Sequence, residues 1–243
     1  MANVTQLKHL EHLEDEMLNY GVEGCIASVN FLKELRKMLG CDNSTGFMQT
    51  KWDGAPSVVC GTDPNSGMFF VGTKSVFAQN SKACYRDADV DLYYEGDLAE
   101  KLIYSLKYFS TLGIQGIVQG DLLFTTDVKR ETVNGEKLYT FTPNTITYGI
   151  PVDHPIGVAT GKAKIGVVFH THYRGNDFQT MQAVAGAKVK GSIEVLSVDN
   201  DTPMDRVGLN HSEEMKFDKH VSDIEAMCKK CGDFLDELVT NTG

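Results

Sequence analysis

The N-terminal part of the chain has the apolar pattern of helices. Apolar residues recur every three or four positions in two runs, and Gly21 and Gly24 lie between the runs. This spacing places apolar side chains on one face of an α-helix, whereas glycine favours a break. We therefore predict helices over residues 5–20 and 25–39, which form a helical hairpin within residues 1–42.

From residue 47 onward, short apolar runs alternate with turn-forming residues. Such runs are typical of β-strands, and the Asn134-Gly135 pair is typical of a hairpin turn. Further helices are predicted over residues 95–110, 175–188 and 212–239. The pattern predicts an α+β fold with an antiparallel core, the N-terminal helical hairpin and a C-terminal helix. Residues 43–243 are assigned to one domain.

The composition limits the class of protein. The formal net charge of −10 argues against tight, non-specific binding to phosphate backbones, although a local basic cleft stays compatible with it. No run approaches the ~18–20 apolar residues that span a bilayer, and the N-terminus lacks the pattern of a signal peptide. We therefore expect a soluble, cytoplasmic protein without a membrane partner, whose six cysteines are reduced thiols.

The stretch "FMQTKWDGAPSVVCG" (47–61) contains the first candidate chemistry. It is interpreted as a buried strand, and burial of Lys51 favours a neutral, nucleophilic amine. Asp53 lies two residues later, which places it on the same face of a strand. Such a pair fits a bound nucleotide–metal complex, and Gly54 leaves the backbone open to a ligand. A surface ion pair beside a turn is the alternative.

Three later stretches add polar or aromatic candidates at the ends of predicted strands. "GTKSVFAQN" contains Lys74 and Ser75, "VQGDLLF" contains Asp121, and "GVVFHTHY" contains Phe169. Because a carboxylate is costly to bury without partners, Asp121 is expected to have partners at the end of its strand.

This ordered set resembles the covalent nucleotidyltransferase superfamily, which comprises ATP-dependent DNA ligases, RNA ligases and capping enzymes. "KWDG" resembles its nucleotide-accepting lysine motif, and "TKS" resembles its phosphate-contacting motif. "QGDLLF" resembles the motif whose acid binds the ribose and supports the metal. "VVFHTHY" resembles the motif whose aromatic residue stacks on the purine. More narrowly, residues 7–175 resemble a group of uncharacterised ligase-like proteins of tailed phages.

The resemblance implies a ligase adenylation domain that joins nucleic acid ends. Lys51 would take AMP from ATP with Mg²⁺, and the AMP would pass to a 5′-phosphate end of DNA or RNA. The implied catalytic residues are Lys51, Asp53 and Asp121, and Asp121 would also bind the metal. The implied nucleotide contacts are Gln49, Thr50, Gly54, Lys74, Ser75 and Phe169. Of these, Gln49 would read the edge of the adenine and Phe169 would stack on its face.

The later motifs of the superfamily have no match in the expected order. "KGSIEV" contains the residues of the fourth motif in the wrong order, and "KVK" has the spacing of the fifth motif but lies too close to Phe169. Two alternatives to a ligase therefore remain. One is a catalytically degenerate module of the same fold that binds a nucleotide or a protein. The other is a phage structural or assembly protein.

Overall fold

A computed structural model describes residues 12–40, 49–201 and 208–242, and these residues form two compact units. The first unit is Lys51–Asn200, and the second combines the described residues on either side of it. The described residues of the N-terminal helical segment are thus grouped with the C-terminal helices. Residues 5–11 of the predicted first helix and the predicted boundary at residue 42 lie outside the described residues.

The N-terminal helical element, α1 (Leu13–Leu39), folds back on itself at Gly21. The backbone of Gly21 has φ 57° and ψ −131°, a non-helical conformation that favours glycine. Ser28 Oγ donates to the carbonyl of Leu13 at 3.1 Å, a contact that a straight helix cannot make. A Cβ added at Gly24 would lie 1.9 Å from the carbonyl oxygen of Glu16. The two segments therefore pack backbone against backbone, and only glycine fits at position 24.

Two C-terminal helices complete the second unit, namely α5 (His211–Lys230) and α6 (Gly232–Thr242). The sequence predicts one helix over 212–239 with Ser212 as its N-cap, and this is wrong in two details. The cap is Asn210, whose side chain accepts from the backbone N–H groups of Ser212 and Glu213. The helix is also interrupted at Cys231, directly before Gly232.

The first unit is built on a sheet with the strand order β2-β1-β3-β7-β8. Its strands are β1 (Ser57–Thr62), β2 (Phe69–Gly72), β3 (Ile117–Phe124), β7 (Ile165–Arg174), β8 (Gln182–Ala185) and β9 (Val195–Ser197). Neighbours along this order are antiparallel, and β9 pairs with the start of β7 in parallel. The predicted antiparallel core is therefore confirmed.

A second sheet of the first unit has the order β4-β5-β6. Its antiparallel strands are β4 (Lys129–Val133), β5 (Glu136–Phe141) and β6 (Tyr148–Pro151), followed by α4 (Pro155–Thr160). Asn134 and Gly135 both have positive φ, which is the conformation of a tight hairpin turn. The Asn-Gly signal therefore located this hairpin correctly.

Helix α3 (Gly96–Phe109) covers one face of the larger sheet. Leu102 and Phe109 are fully buried there and pack with Val118, Leu122 and other core residues. Helix α2 (Asp87–Tyr93) precedes α3, and 3-10 turns span Lys74–Phe77 and Ser110–Leu112. Val118, Gly120 and Leu122 alternate with Gln119 and Asp121 along β3. Because side chains alternate along a strand, Gln119 and Asp121 face the side of the sheet opposite α3. That second face carries the polar candidates.

Two sequence predictions about the first unit are wrong. Residues 51–56 are not part of a strand, because β1 begins only at Ser57. Within 175–188 the chain forms β8 instead of a helix, because these residues pair with β7 on the side away from β3. Within the described residues, no helix is long and apolar enough to span a membrane.

Replacing Gly24 with alanine should destabilise the second unit. Alanine favours a helix over glycine by about 1 kcal/mol, but overpacking costs about 1–3 kcal/mol, and here the clash is with backbone that cannot rotate away. We expect a net loss of unfolding free energy in urea denaturation. The control is Glu23→Ala at the neighbouring exposed position. A Gly24→Ala protein as stable as this control would contradict the close packing.

Candidate functional site

Asp53 anchors the loop between β5 and β6. Its carboxylate accepts hydrogen bonds from Asn144 Nδ2, from the backbone N–H and Oγ1 of Thr145, and from the N–H of Ile146, each at 2.8 Å. Its own N–H donates to the hydroxyl of Tyr148 at 2.8 Å. These hydrogen bonds hold the pKa of the Asp53 carboxyl well below its usual range, and the bond from Asn144 has the largest effect. The carboxylate therefore has a structural task.

The backbone after Asp53 lies against strand β3. The N–H of Ala55 donates to the carbonyl of Leu122 at 2.9 Å, and the N–H of Leu122 donates to the carbonyl of Pro56 at 3.1 Å. A Cβ at Gly54 would lie 2.6 Å from the Cβ of Asp121. Gly54 thus makes room for β3, whereas the sequence suggested room for a ligand. The predicted catalytic segment is fixed directly beside Asp121.

Lys51 is exposed, and the predicted burial in a strand is wrong, so burial does not supply the nucleophilic amine that the sequence predicted. Among the described residues, it takes part in no hydrogen bond or ion pair. The next residue, Trp52, packs against Tyr148 with ring centroids 4.9 Å apart and an angle of 37° between the ring planes. Because Trp52 and Asp53 are both held by the second sheet, Lys51 lies at the start of a fixed segment and its amine is available to a ligand.

Asp121 and His170 form a pair on the face of the large sheet opposite α3. His170 Nε2 lies 3.4 Å from Asp121 Oδ2, and the two side chains are 26% and 21% exposed. His170 Nδ1 and Thr171 Oγ1 are 2.8 Å apart, which fixes the ring from its other side. A hydrogen-bonded row continues along this face through Ser57, Gln119 and Tyr173. The pair combines a partly exposed carboxylate with an imidazole whose Nε2 is buried and has no hydrogen-bond partner.

Sequence reasoning missed this pair because its members lie on different strands, and a β-bulge in β7 adds Thr171 and Tyr173 to the same face. The register pairs Thr171 with Gln119 and Phe169 with Gly120, so His170 is an extra residue in β7. Strict alternation along β7 would have given a different set of side chains on this face. No local signal in "VVFHTHY" marks the bulge.

Phe169 cannot stack on a purine, and that prediction is wrong. Its side chain is only 3% exposed and lies in the core beneath α3. Its ring makes an edge contact with Phe109 at a centroid distance of 5.5 Å. Because alternation turns Phe169 toward the helix, it faces away from Asp121.

In the predicted phosphate-contacting motif "TKS", Lys74 and Ser75 have different surroundings. Ser75 Oγ lies 2.8 Å from the hydroxyl of Tyr94 and 2.9 Å from Thr73 Oγ1, which fixes the 3-10 turn. Lys74 is exposed, and within the described ranges it has no hydrogen bond or ion pair. Of this pair, therefore, only Lys74 has a side chain available to a phosphate.

Gln49 and Thr50 belong to the second unit. Gln49 forms a β-bridge with Asp201, and its Nε2 donates to Asp201 Oδ1 at 3.2 Å. Thr50 is exposed. The side chain that was expected to read the adenine edge thus has a partner within its own unit.

The comparisons with known proteins give a family but no activity. The model of a family of unknown function, DUF6267, matches residues 3–243. The chain belongs to this family. No significant match to the chain was found among curated proteins or among solved structures.

Asp121 is the predicted metal ligand of this DUF6267 protein. Within residues 12–40, 49–201 and 208–242, no group of three or more His, Cys, Asp or Glu side chains is arranged to hold a metal. Mg²⁺ is commonly bound by one or two carboxylates together with the phosphates of its nucleotide. The carboxylate of Asp121 is partly exposed and fits that kind of site, and its metal role stays a prediction.

Replacing Asp53 with asparagine should destabilise the DUF6267 protein in a pH-dependent way. The native pKa of this carboxyl is lowered, so its contribution is present above the unfolded value of about 3.9 and is lost as pH falls through the native value. The difference in Tm from the parent should be largest near neutral pH and shrink in acid. Asp153→Asn, at an exposed carboxylate after β6, is the control. A Tm difference that is independent of pH, or equal to that of the control, would refute the role of the Asp53 carboxylate in holding the loop.

Replacing Phe169 tests its assignment to the core. Phe169→Ala should lower the free energy of unfolding by about 3–5 kcal/mol, the usual cost of truncating a buried phenylalanine, and Phe169→Leu should cost less. Urea denaturation measures both. Phe31→Ala is the control, because Phe31 is 58% exposed and its loss should change stability little. Parental stability of Phe169→Ala would return this ring to the list of ligand contacts.

Proposed function

We propose that this protein is a covalent nucleotidyltransferase of the polynucleotide ligase type, with the corresponding adenylation fold. The observation that best supports this proposal is the exposure of Lys51 on a fixed backbone. Its amine is exposed and unpaired among the described residues, yet the next residues are tied to both sheets of the first unit. An unpaired amine on a fixed backbone suits a nucleophile, because its attack geometry depends on the orientation of that backbone.

The proposed step transfers AMP from ATP to Lys51. The unprotonated amine attacks the α-phosphorus, an N–P bond forms, and the P–O bond to pyrophosphate breaks. The proton of the amine passes to solvent, and pyrophosphate leaves. Mg²⁺, held by the phosphates of ATP and by Asp121, would neutralise the developing charge. The AMP then passes to a 5′-phosphate of DNA or RNA, and a 3′-hydroxyl displaces it.

Two further groups of the first unit support this chemistry. Asp121 lies against Gly54, so a carboxylate is present close to the segment that carries Lys51. Lys74 adds a second exposed cation without a partner in the described ranges, suited to a phosphate. Asp53 takes the role of a positioning residue, because its oxygens are engaged by the loop at 144–146.

A second candidate function is nucleotide binding without catalysis. It is favoured by the use of Asp53, which the superfamily resemblance implied to be catalytic. The carboxylate of Asp53 is used to hold the fold, as is the ring of Phe169. A module that lacks this catalytic carboxylate would transfer no AMP, while Lys51 and Lys74 remain exposed to a nucleotide.

The test is incubation with ATP and Mg²⁺ followed by intact mass and peptide mapping. We expect the parent to gain the mass of one adenylyl group at Lys51. Lys51→Ala and Lys51→Arg should gain none, because neither offers a nucleophilic amine. Lys137→Ala, at an exposed lysine of β5, should still be adenylated.

The possible outcomes separate the candidate functions. No adduct in the parent, or an adduct that persists in Lys51→Ala, would end the ligase proposal. Nucleotide binding by calorimetry without an adduct would favour the binding module. Absence of both would favour a structural or assembly protein.

A further inference from the structure

A cavity of about 200 Å³ lies in the first unit beside the residue that follows Lys51. Most of its wall is apolar and includes the sole tryptophan of the chain. The lining residues used below are Trp52, Phe141, Ile150, His154, Ile156 and Val198. The volume is below the roughly 300–1,000 Å³ of sites for drug-sized ligands. It therefore suits one planar ring system, such as a nucleobase, and is too small for a whole nucleotide.

The aromatic wall of the cavity is held from behind. The ring of Trp52 packs against Tyr148 at 4.9 Å, and Tyr148 contacts Phe141 at 5.6 Å between centroids. Tyr148 in turn accepts the hydrogen bond from the backbone of Asp53. The indole is thus fixed by its neighbours before any ligand binds. A fixed aromatic ring offers a stacking surface for a planar ligand at little cost in side-chain entropy.

His154 gives the cavity a directional polar group. Its Nδ1 accepts a hydrogen bond from the N–H of Ile156 at 3.2 Å. The proton of the neutral ring is therefore on Nε2, which makes that atom a hydrogen-bond donor. An apolar slot lined by two residues with N–H donors, His154 and Trp52, suits a heteroaromatic ring that carries an acceptor nitrogen. Purines have such nitrogens, and purely hydrocarbon rings do not.

We propose that this cavity binds the nucleobase of the nucleotide, stacked on Trp52, with His154 donating to a ring nitrogen. The identity of the ligand rests on the proposed function, since Lys51 and Trp52 are consecutive residues about 3.8 Å apart at Cα. When the base of a nucleotide is bound at Trp52, the phosphates of that nucleotide therefore lie near the proposed nucleophile, Lys51. The cavity takes the role that the sequence assigned to Phe169.

The test uses Trp52 fluorescence, because no other tryptophan contributes to the signal. The Lys51→Ala protein, which cannot form an adduct, is titrated with adenosine, AMP, ATP, GTP and ribose 5-phosphate. Emission is corrected for the absorbance of the bases. We expect saturable quenching by adenosine and the nucleotides, and none by ribose 5-phosphate, which has no base.

A second variant separates ring recognition from a general effect on the fold. His154→Ala should raise the Kd of adenosine roughly three- to tenfold, the effect of one lost hydrogen bond. His220→Ala, at an exposed histidine of α5, should leave it unchanged. Circular dichroism establishes that both variants are folded. Equal Kd values in the two variants would overturn the role of His154.

The outcomes distinguish this proposal from the ligase proposal. Adenylation of the parent without quenching by adenosine would overturn the cavity as the base site and leave the covalent function standing. Saturable quenching that weakens in His154→Ala, in a protein that forms no adduct, would support the cavity and reject the transfer step. Equal quenching by ribose 5-phosphate would overturn the base site.

Discussion

The arrangement of the first unit depends on the carboxylate of Asp53. Its hydrogen bonds hold the loop between β5 and β6, while the backbone after it pairs with β3 at Leu122. One short segment therefore ties the smaller sheet to the larger one. The positions of Lys51 and Trp52 follow from this anchor, because both residues directly precede it. A site built here is only as rigid as the bonds that Asp53 accepts.

The sequence predicted the elements whose stability is local. Helix α3 has the apolar spacing of a helix, and the hairpin at Asn134-Gly135 requires positive φ at both residues, which these two residues tolerate. The strand β8 was missed because its conformation is set by pairing with β7 and not by its own residues, which also fit a helix. The break at Cys231 had a local signal that was not used, because Gly232 follows directly and glycine favours a break, as at Gly21 and Gly24.

At the candidate site, the sequence identified the correct neighbourhood but not the tasks of its side chains. The partners of Asp53 lie 91 to 93 residues away, so nothing near it in the sequence reveals that its oxygens are engaged. Alternation from Val168 turns His170 toward the face of Asp121, but Thr171 and Tyr173 share that face only because of one bulge. A one-residue change of register moves a side chain to the opposite face of a sheet. Such irregularities have no compositional signature.

The electrostatics of the protein constrain how it can hold a phosphate chain. With a net charge of −10, long-range attraction favours cations over nucleotides, so affinity for a nucleotide must come from short-range contacts. Lys51 and Lys74 are suited to this because no carboxylate among the described residues neutralises either of them. The attraction of two exposed cations for a phosphate is weakened by salt, because salt screens charges beyond about 8–10 Å at physiological ionic strength. The proposed stacking of a base on Trp52 would not be screened in this way, and it would supply the part of the affinity that the charges cannot.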